Sequence, residues 1–236
     1  MNFYIIPILF GNNMDTLFGV KNDVYIIYNL FYKFYIKYPN KWHKPFIFIN
    51  EESSLSNIKD IITKKYNNLE EKIIFIIYFS GHSSSKGYLK FYNNNINSNI
   101  LLNYFNEHLT YSSQIYIIID SCYSKNFILN INKNHNYNYI EKIYFMGSCM
   151  EHEKSKEIET DYDISLFKYK DIECNKMGNK MSNKMVVGIF SLYLVKLLLA
   201  RKIHNLNDFK NIIDDKLWKM ISNKYKQTIY YEEIIL

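Results

Sequence analysis

The sequence predicts an α/β protein: a three-layer α/β/α sandwich on a mostly parallel six-stranded sheet, formed by a single domain over residues 1–236. Two observations carry this. The runs Ile73–Phe79 and Ile115–Asp120 are unbroken in β-branched and aromatic residues, which suits strands buried on both faces of a parallel sheet. Strand-like runs also alternate along the chain with segments of helical period, and this order favours helices layered on the sheet with right-handed crossovers.

In chain order, Phe3–Phe10 is a strand closed by the turn residues Gly11, Asn12 and Asn13. Val24, Ile27, Tyr28, Phe31 and Phe34 then follow helical spacing within residues 17–36, with Asn22 or Asp23 as N-cap. Pro45–Ile49 is a short second strand. Ser54 or Ser56 caps a helix that runs through Tyr66, with Leu55, Ile58, Ile61 and Ile62 as its apolar face. The Ile73–Phe79 strand follows, then a small hairpin around Gly87, a helix near Ile100–Leu109, and the Ile115–Asp120 strand. Residues 124–140 are Asn-rich and read as a surface loop. Lys142–Ser148 is a fifth strand, Met150–Lys184 is polar and without period, Val186–Leu199 and Leu206–Ile221 are helical, and Thr228–Ile235 is the last strand.

The bulk composition excludes several classes. Hydrophobic residues make up 48% and aromatics 17%, too many for a disordered chain. The net charge of +6 is spread along the sequence and mixed with acids, so nucleic-acid binding is not expected. An odd, sparse set of three cysteines (Cys122, Cys149, Cys174) makes no disulfide framework and points to a reducing compartment. No Cys or His spacing offers a metal site, so no metal and no cofactor are expected. The N-terminus lacks a basic region and a small-residue cleavage site. Met185–Ala200 is interrupted by Lys196 and is short for a bilayer span. The expectation is a cytoplasmic protein without membrane partners.

The chemistry lies where the two central strands end. Ile73–Phe79 runs into S-G-H-S-S, carrying His82, and Ile115–Asp120 runs into S-C-Y-S, carrying Cys122. Ligands of open α/β sheets bind beyond the carboxyl ends of the strands, and two parallel strands would deliver both side chains to that edge. A thiol becomes a nucleophile when a neighbouring base raises its thiolate fraction, and the same base can later protonate a leaving amine. Taken alone, Cys122 reads as a small buried hydrophobe and His82 as a loop histidine. Two apolar strands that end alike around both members of a dyad are hard to attribute to packing. Gly81 beside the base would let a substrate carbonyl approach closely. Cys149 follows an apolar strand and reads as packing, and Cys174 as a free thiol in a polar loop.

S-G-H followed by D-S-C after a hydrophobic strand resembles the caspase-like cysteine peptidases, and metacaspases most closely. Three further segments are similar to that family: L-F-G-V-K-N-D-V (17–24), Y-F-M-G-S-C-M-E-H-E-K-S-K-E (144–157) and M-V-V-G-I-F-S-L-Y-L-V (185–195). They span almost the whole chain in the family's order. The resemblance implies a caspase-like fold with a large-subunit-like part (about 1–140) and a small-subunit-like part (about 141–236). It implies a cysteine endopeptidase with a His82–Cys122 dyad, an oxyanion hole from the N–H groups of Ser83 and Cys122, and Asp23 and Asp120 lining an S1 pocket. The substrates would be peptides or proteins cut after Arg or Lys, and the enzyme a monomer. Two carboxylates in a partly closed pocket would hold such a cation by charge-assisted hydrogen bonds. Aspartate-specific caspases would need pocket arginines, and the chain's only arginine is Arg201.

The chain departs from the family at Ser83 and Lys125, where glycine is usual. The loops 83–99 and 124–138 contain no Asp or Glu, so activity is expected to be independent of calcium. The lysine-containing stretches 124–142 and 154–184 read either as self-cleavage sites or as plain exposed loops. Two other readings stay open. G-H-S-S-S-K-G-Y-L-K-F resembles the corresponding loop of the GPI-transamidase branch, and Ser83 with Lys125 would also suit a caspase-like binding module without catalysis.

Overall fold

A computed structural model describes residues 3–13, 17–66, 72–132, 135–160, 185–200 and 216–236. The central sheet has six strands: β1 (Phe3–Asn12), β2 (Phe46–Ile49), β3 (Lys72–Gly81), β6 (Ser113–Asp120), β7 (Ile140–Gly147) and β10 (Tyr230–Ile235). Their order across the sheet is β10-β7-β6-β3-β1-β2. All neighbours pair parallel except β10 on β7, which is antiparallel. Two short antiparallel pairs lie outside it: β4 (Leu89–Lys90) with β5 (Asn95–Ile96), and β8 (Glu157–Thr160) with β9 (Met185–Gly188).

Unbroken apolar strands need cover on both faces, and two cores supply it. From β3, Ile74, Ile76 and Tyr78 enter one core with helix α1 (Val20–Lys37) and helix α5 (Ile189–Ala200), through Ile27, Phe31, Phe190 and Leu194. Ile73, Phe75, Ile77 and Phe79 enter the other with α2 (Ser56–Ile61), α3 (Ser98–His108) and α4 (Lys125–Leu129), through Ile58, Leu102, Phe105 and Phe127. Helix α6 (Lys216–Tyr225) precedes β10. This is the three-layer α/β/α sandwich expected from the sequence. Among the described residues no helix is long and apolar enough to cross a membrane.

Several elements differ from the sequence reading. Neither Asn22 nor Asp23 caps α1: Gly19 is the N-cap residue, without a side-chain cap, and Asp23 lies inside the first turn. The helix expected to run through Tyr66 leaves α-geometry after Ile61 and continues as a five-residue wider turn, Ile62–Tyr66. Residues 124–140 are not all loop, because Phe127 and Ile128 bury one face of α4 in the second core. Met185–Gly188 is strand, not helix, and its partner Glu157–Thr160 lies in the stretch read as aperiodic. Cys174, residues 206–215 of the expected last helix, and residues 161–184 lie outside the described residues.

Candidate active site at the carboxyl ends of β3 and β6

β3 and β6 pair in register through Ser80 opposite Asp120. Two residues further on, just past the ends of these neighbouring strands, lie His82 and Cys122. Both are half-buried. Gly81 has φ +155°, and a Cβ there would stand 2.7 Å from the Asn12 carbonyl, so only glycine lets the chain pass β1 on the way to His82. Tyr123, just after the thiol, adopts a left-handed φ of +54° and turns the chain into α4.

Ser83 sits in this loop without a positive φ, so its side chain is accommodated without backbone strain. It forms an antiparallel bridge with Leu89, flanked by the bonds Lys90 N to His82 O (2.9 Å) and Ser84 N to Tyr88 O (2.9 Å). The Ser83 N–H is therefore not spent on that ladder. Its hydroxyl donates to the Cys122 carbonyl and ties the two loops together. Lys125 opens α4, pairs with Glu151 at 2.8 Å and lies over the Tyr230 ring.

Burial pushes the Cys122 thiol up, as does the nearby Asp120 charge, while the Ser155 amide and Lys154 oppose this. Burial also pushes His82 down, reinforced by the Lys90 charge. Both shifts favour the neutral form of each group.

Asp23 and Asp120 come together beneath this edge, both buried. Asp23 accepts from the Gly188 N–H at 2.7 Å and from the Ser80 hydroxyl at 2.9 Å. Asp120 accepts from Ser155 Oγ at 2.6 Å, from Ser191 Oγ at 2.6 Å and from Ser191 N at 3.2 Å. The Tyr78 hydroxyl in turn donates to Ser191 Oγ at 2.6 Å. A Cβ on Gly188 would lie 2.3 Å from Asp120 Oδ2 and 3.1 Å from Asp23 Oδ2, so glycine is required where β9 meets the two carboxylates. A third acid, Glu157, accepts from Gly19 N at 2.8 Å.

Burial raises the pKa of Asp23, and the Asp120 charge raises it further. Burial also raises Asp120, against its serine hydrogen bonds, and Glu157, which feels Asp120 as well. Among the described residues no cation pairs with Asp23 or Asp120. Such a cluster gains most when a cation arrives. Among the described residues no group of three or more His, Cys, Asp or Glu is arranged to hold a metal ion. Cys149 is fully buried, with its N–H on Ser124 Oγ at 2.8 Å, and acts as a packed core residue.

The structure thus brings together all five residues singled out by sequence: Asp23, His82, Ser83, Asp120 and Cys122. Sequence reasoning missed the polar partners Ser80, Ser155, Ser191 and Glu157. Serine carries little signal in sequence, although Ser80 precedes the Gly81-His82 pair directly.

No protein-family model matches the chain, and no curated protein does. Among solved structures it is similar to protein GSU0716 from Geobacter sulfurreducens, with a TM-score of 0.58 and 10% identity over 99% of this chain and 93% of that one. At this identity the likeness concerns the fold alone. It also aligns, with a TM-score of 0.36 and 11% identity, to Raptor from Chaetomium thermophilum, over 65% of this chain and 16% of that one. That alignment carries no argument.

Proposed function

We propose that the chain is a cysteine endopeptidase of the metacaspase type that cleaves after Arg or Lys. The observation that carries this reading is a pair of buried carboxylates, Asp23 and Asp120, unmatched by any cation among the described residues and directly below Cys122 and His82. A basic P1 side chain would enter as the missing counter-charge, held by charge-assisted hydrogen bonds. As the Cys122 sulfur attacks the scissile carbonyl carbon, His82 takes the thiol proton. The N–H groups of Ser83 and Cys122 would stabilise the oxyanion. Collapse breaks the C–N bond, His82 delivers its proton to the leaving amine, and an acyl-enzyme remains on Cys122. Water, deprotonated by His82, then releases the acid and the free thiol.

A second reading, a binding module without turnover, is favoured by the setting of Cys122: burial and the Asp120 charge both push its thiol up, away from the nucleophilic thiolate. Peptide cleavage separates the two. Fluorogenic peptides with P1 Arg, Lys, Asn or Asp, assayed with and without calcium, are expected to be cut only after Arg and Lys. The rates should be equal in both media and zero for Cys122→Ala. No cleavage of any peptide would leave the binding module, and cleavage after Asn would indicate a transamidase- or legumain-like enzyme.

A further inference from the structure

The segment from Met150 to Glu157 crosses the site between β7 and β8, and the turn between α6 and β10 holds it there. Lys226 takes a left-handed φ of +52°, with its N–H on Ser222 O at 2.8 Å, and turns the chain at the end of α6. The next residue, Gln227, has a side chain 2% exposed. A buried amide is costly unless bonded, and Gln227 spends both ends on the crossing segment. Its Oε1 accepts from Lys156 N at 3.1 Å, and its Nε2 donates to Ser155 Oγ at 3.4 Å. Thr228 adds its N–H and hydroxyl to the Glu153 carboxylate, at 2.7 and 2.9 Å.

From the segment, two of the bonds to the site matter here. Ser155 Oγ donates to Asp120 Oδ1 at 2.6 Å, and the Glu153 carbonyl accepts from Tyr123 N, the residue after Cys122, at 2.9 Å. We infer that Gln227 is a positioning residue for both halves of the site. It aims the Ser155 hydroxyl at Asp120 and, by fixing the segment, holds the loop that carries Cys122. This inference rests on the peptidase reading for its P1 consequence and on geometry for the rest. Hydrogen bonds in such a chain polarise one another, so Gln227 acts on Asp120 through Ser155 and touches neither substrate nor thiol.

The test is a double-mutant cycle of Gln227→Met, which keeps side-chain volume and removes both bonds, with Ser155→Ala. Each single variant is expected to raise KM for a P1-Arg peptide about tenfold with a smaller change in kcat. The double variant should be no worse in KM than Ser155→Ala alone. Gln227→Glu keeps the Lys156 acceptor, loses the donor to Ser155, and is expected to raise KM likewise should the Met variant not fold. A second readout needs no turnover: iodoacetamide alkylation of Cys122 at fixed pH, followed by mass spectrometry, should change about threefold or more in Gln227→Met. Folded variants with unchanged KM, or effects that simply multiply, would overturn the inference. If the wild type cleaves nothing, the peptidase reading fails alone, and an unchanged alkylation rate would then overturn the role of Gln227 separately.

Discussion

Asp120 ties together three features: a strand end, a buried carboxylate and the electrostatics of the thiol. Burial raises Asp23 and Asp120, so the folded state holds their protons more tightly than the unfolded chain. Their contribution to stability is full below the ordinary carboxylate pKa and is lost as pH rises through the raised values. Asp120→Asn removes one such group. Its Tm is therefore expected to gain on the wild type progressively as thermal melts are moved from acid to neutral pH. The same variant should raise KM for P1-Arg peptides about a hundredfold, since it removes a desolvated charge from the counter-ion. An equal Tm difference at every pH would contradict this.

For Cys122, iodoacetamide alkylation is expected to rise through the alkaline range, with a midpoint above that of an ordinary cysteine, and Asp120→Asn should lower that midpoint. A midpoint in the range of His82 would instead indicate a preformed ion pair. At this scale the placing of His82 and Cys122 side by side at one sheet edge was legible because each follows a long apolar run. Their serine partners were not, since a short hydroxyl side chain gains meaning only from what stands opposite it.

Among the elements, α3 separates local from tertiary stabilisation. Its N-cap Asn97 accepts from Ile100 N at 2.9 Å, at an exposed position. Phe105, on the same helix, is fully buried and meets the Phe75 ring at 5.1 Å between centroids. Asn97→Ala is expected to cost about 1 kcal/mol in urea denaturation, and Phe105→Ala about 3–5 kcal/mol. Gly188→Ala, at the junction of β9 and α5, forces Cβ onto Asp120 and is expected to abolish cleavage after basic residues, read in the same peptide assay.

The strands were legible because continuous Ile, Val and aromatic runs leave few alternatives. Helix ends were less so: Asp23 looks like an N-cap by residue type, yet its buried carboxylate accepts from the Gly188 N–H and the Ser80 hydroxyl instead. α4 was hidden because Asn-rich flanks mask two buried residues, Phe127 and Ile128. β9 read as helix because M-V-V-G runs into the strongly apolar α5 without a break.

For the molecule as a whole, one sheet serves both cores, and the large- and small-subunit-like parts that the family resemblance implies would meet at the β6–β7 pair inside it. Unfolding one part would expose the face of the other. Far-UV circular dichroism and tryptophan fluorescence, reporting in part on Trp42 within the first core, are expected to give coincident single transitions in urea. Separate midpoints would show two independent units. The overall layering was legible from alternating strand and helix patterns. The carboxylate cluster was not, because its pieces come from α1, β3, β6, the segment after β7, β9 and α5, and only the fold brings them to one edge.

The central claim is that this edge is a cysteine active site selective for a basic side chain. It is tested most directly by labelling with two peptidyl acyloxymethyl ketones, identical except for Arg or Asp at P1, with peptide mapping of the adduct. The expected result is a single adduct on Cys122 from the Arg probe, little from the Asp probe, and loss of the preference in Asp120→Asn. Equal labelling by both probes, or an adduct on another cysteine, would contradict the account.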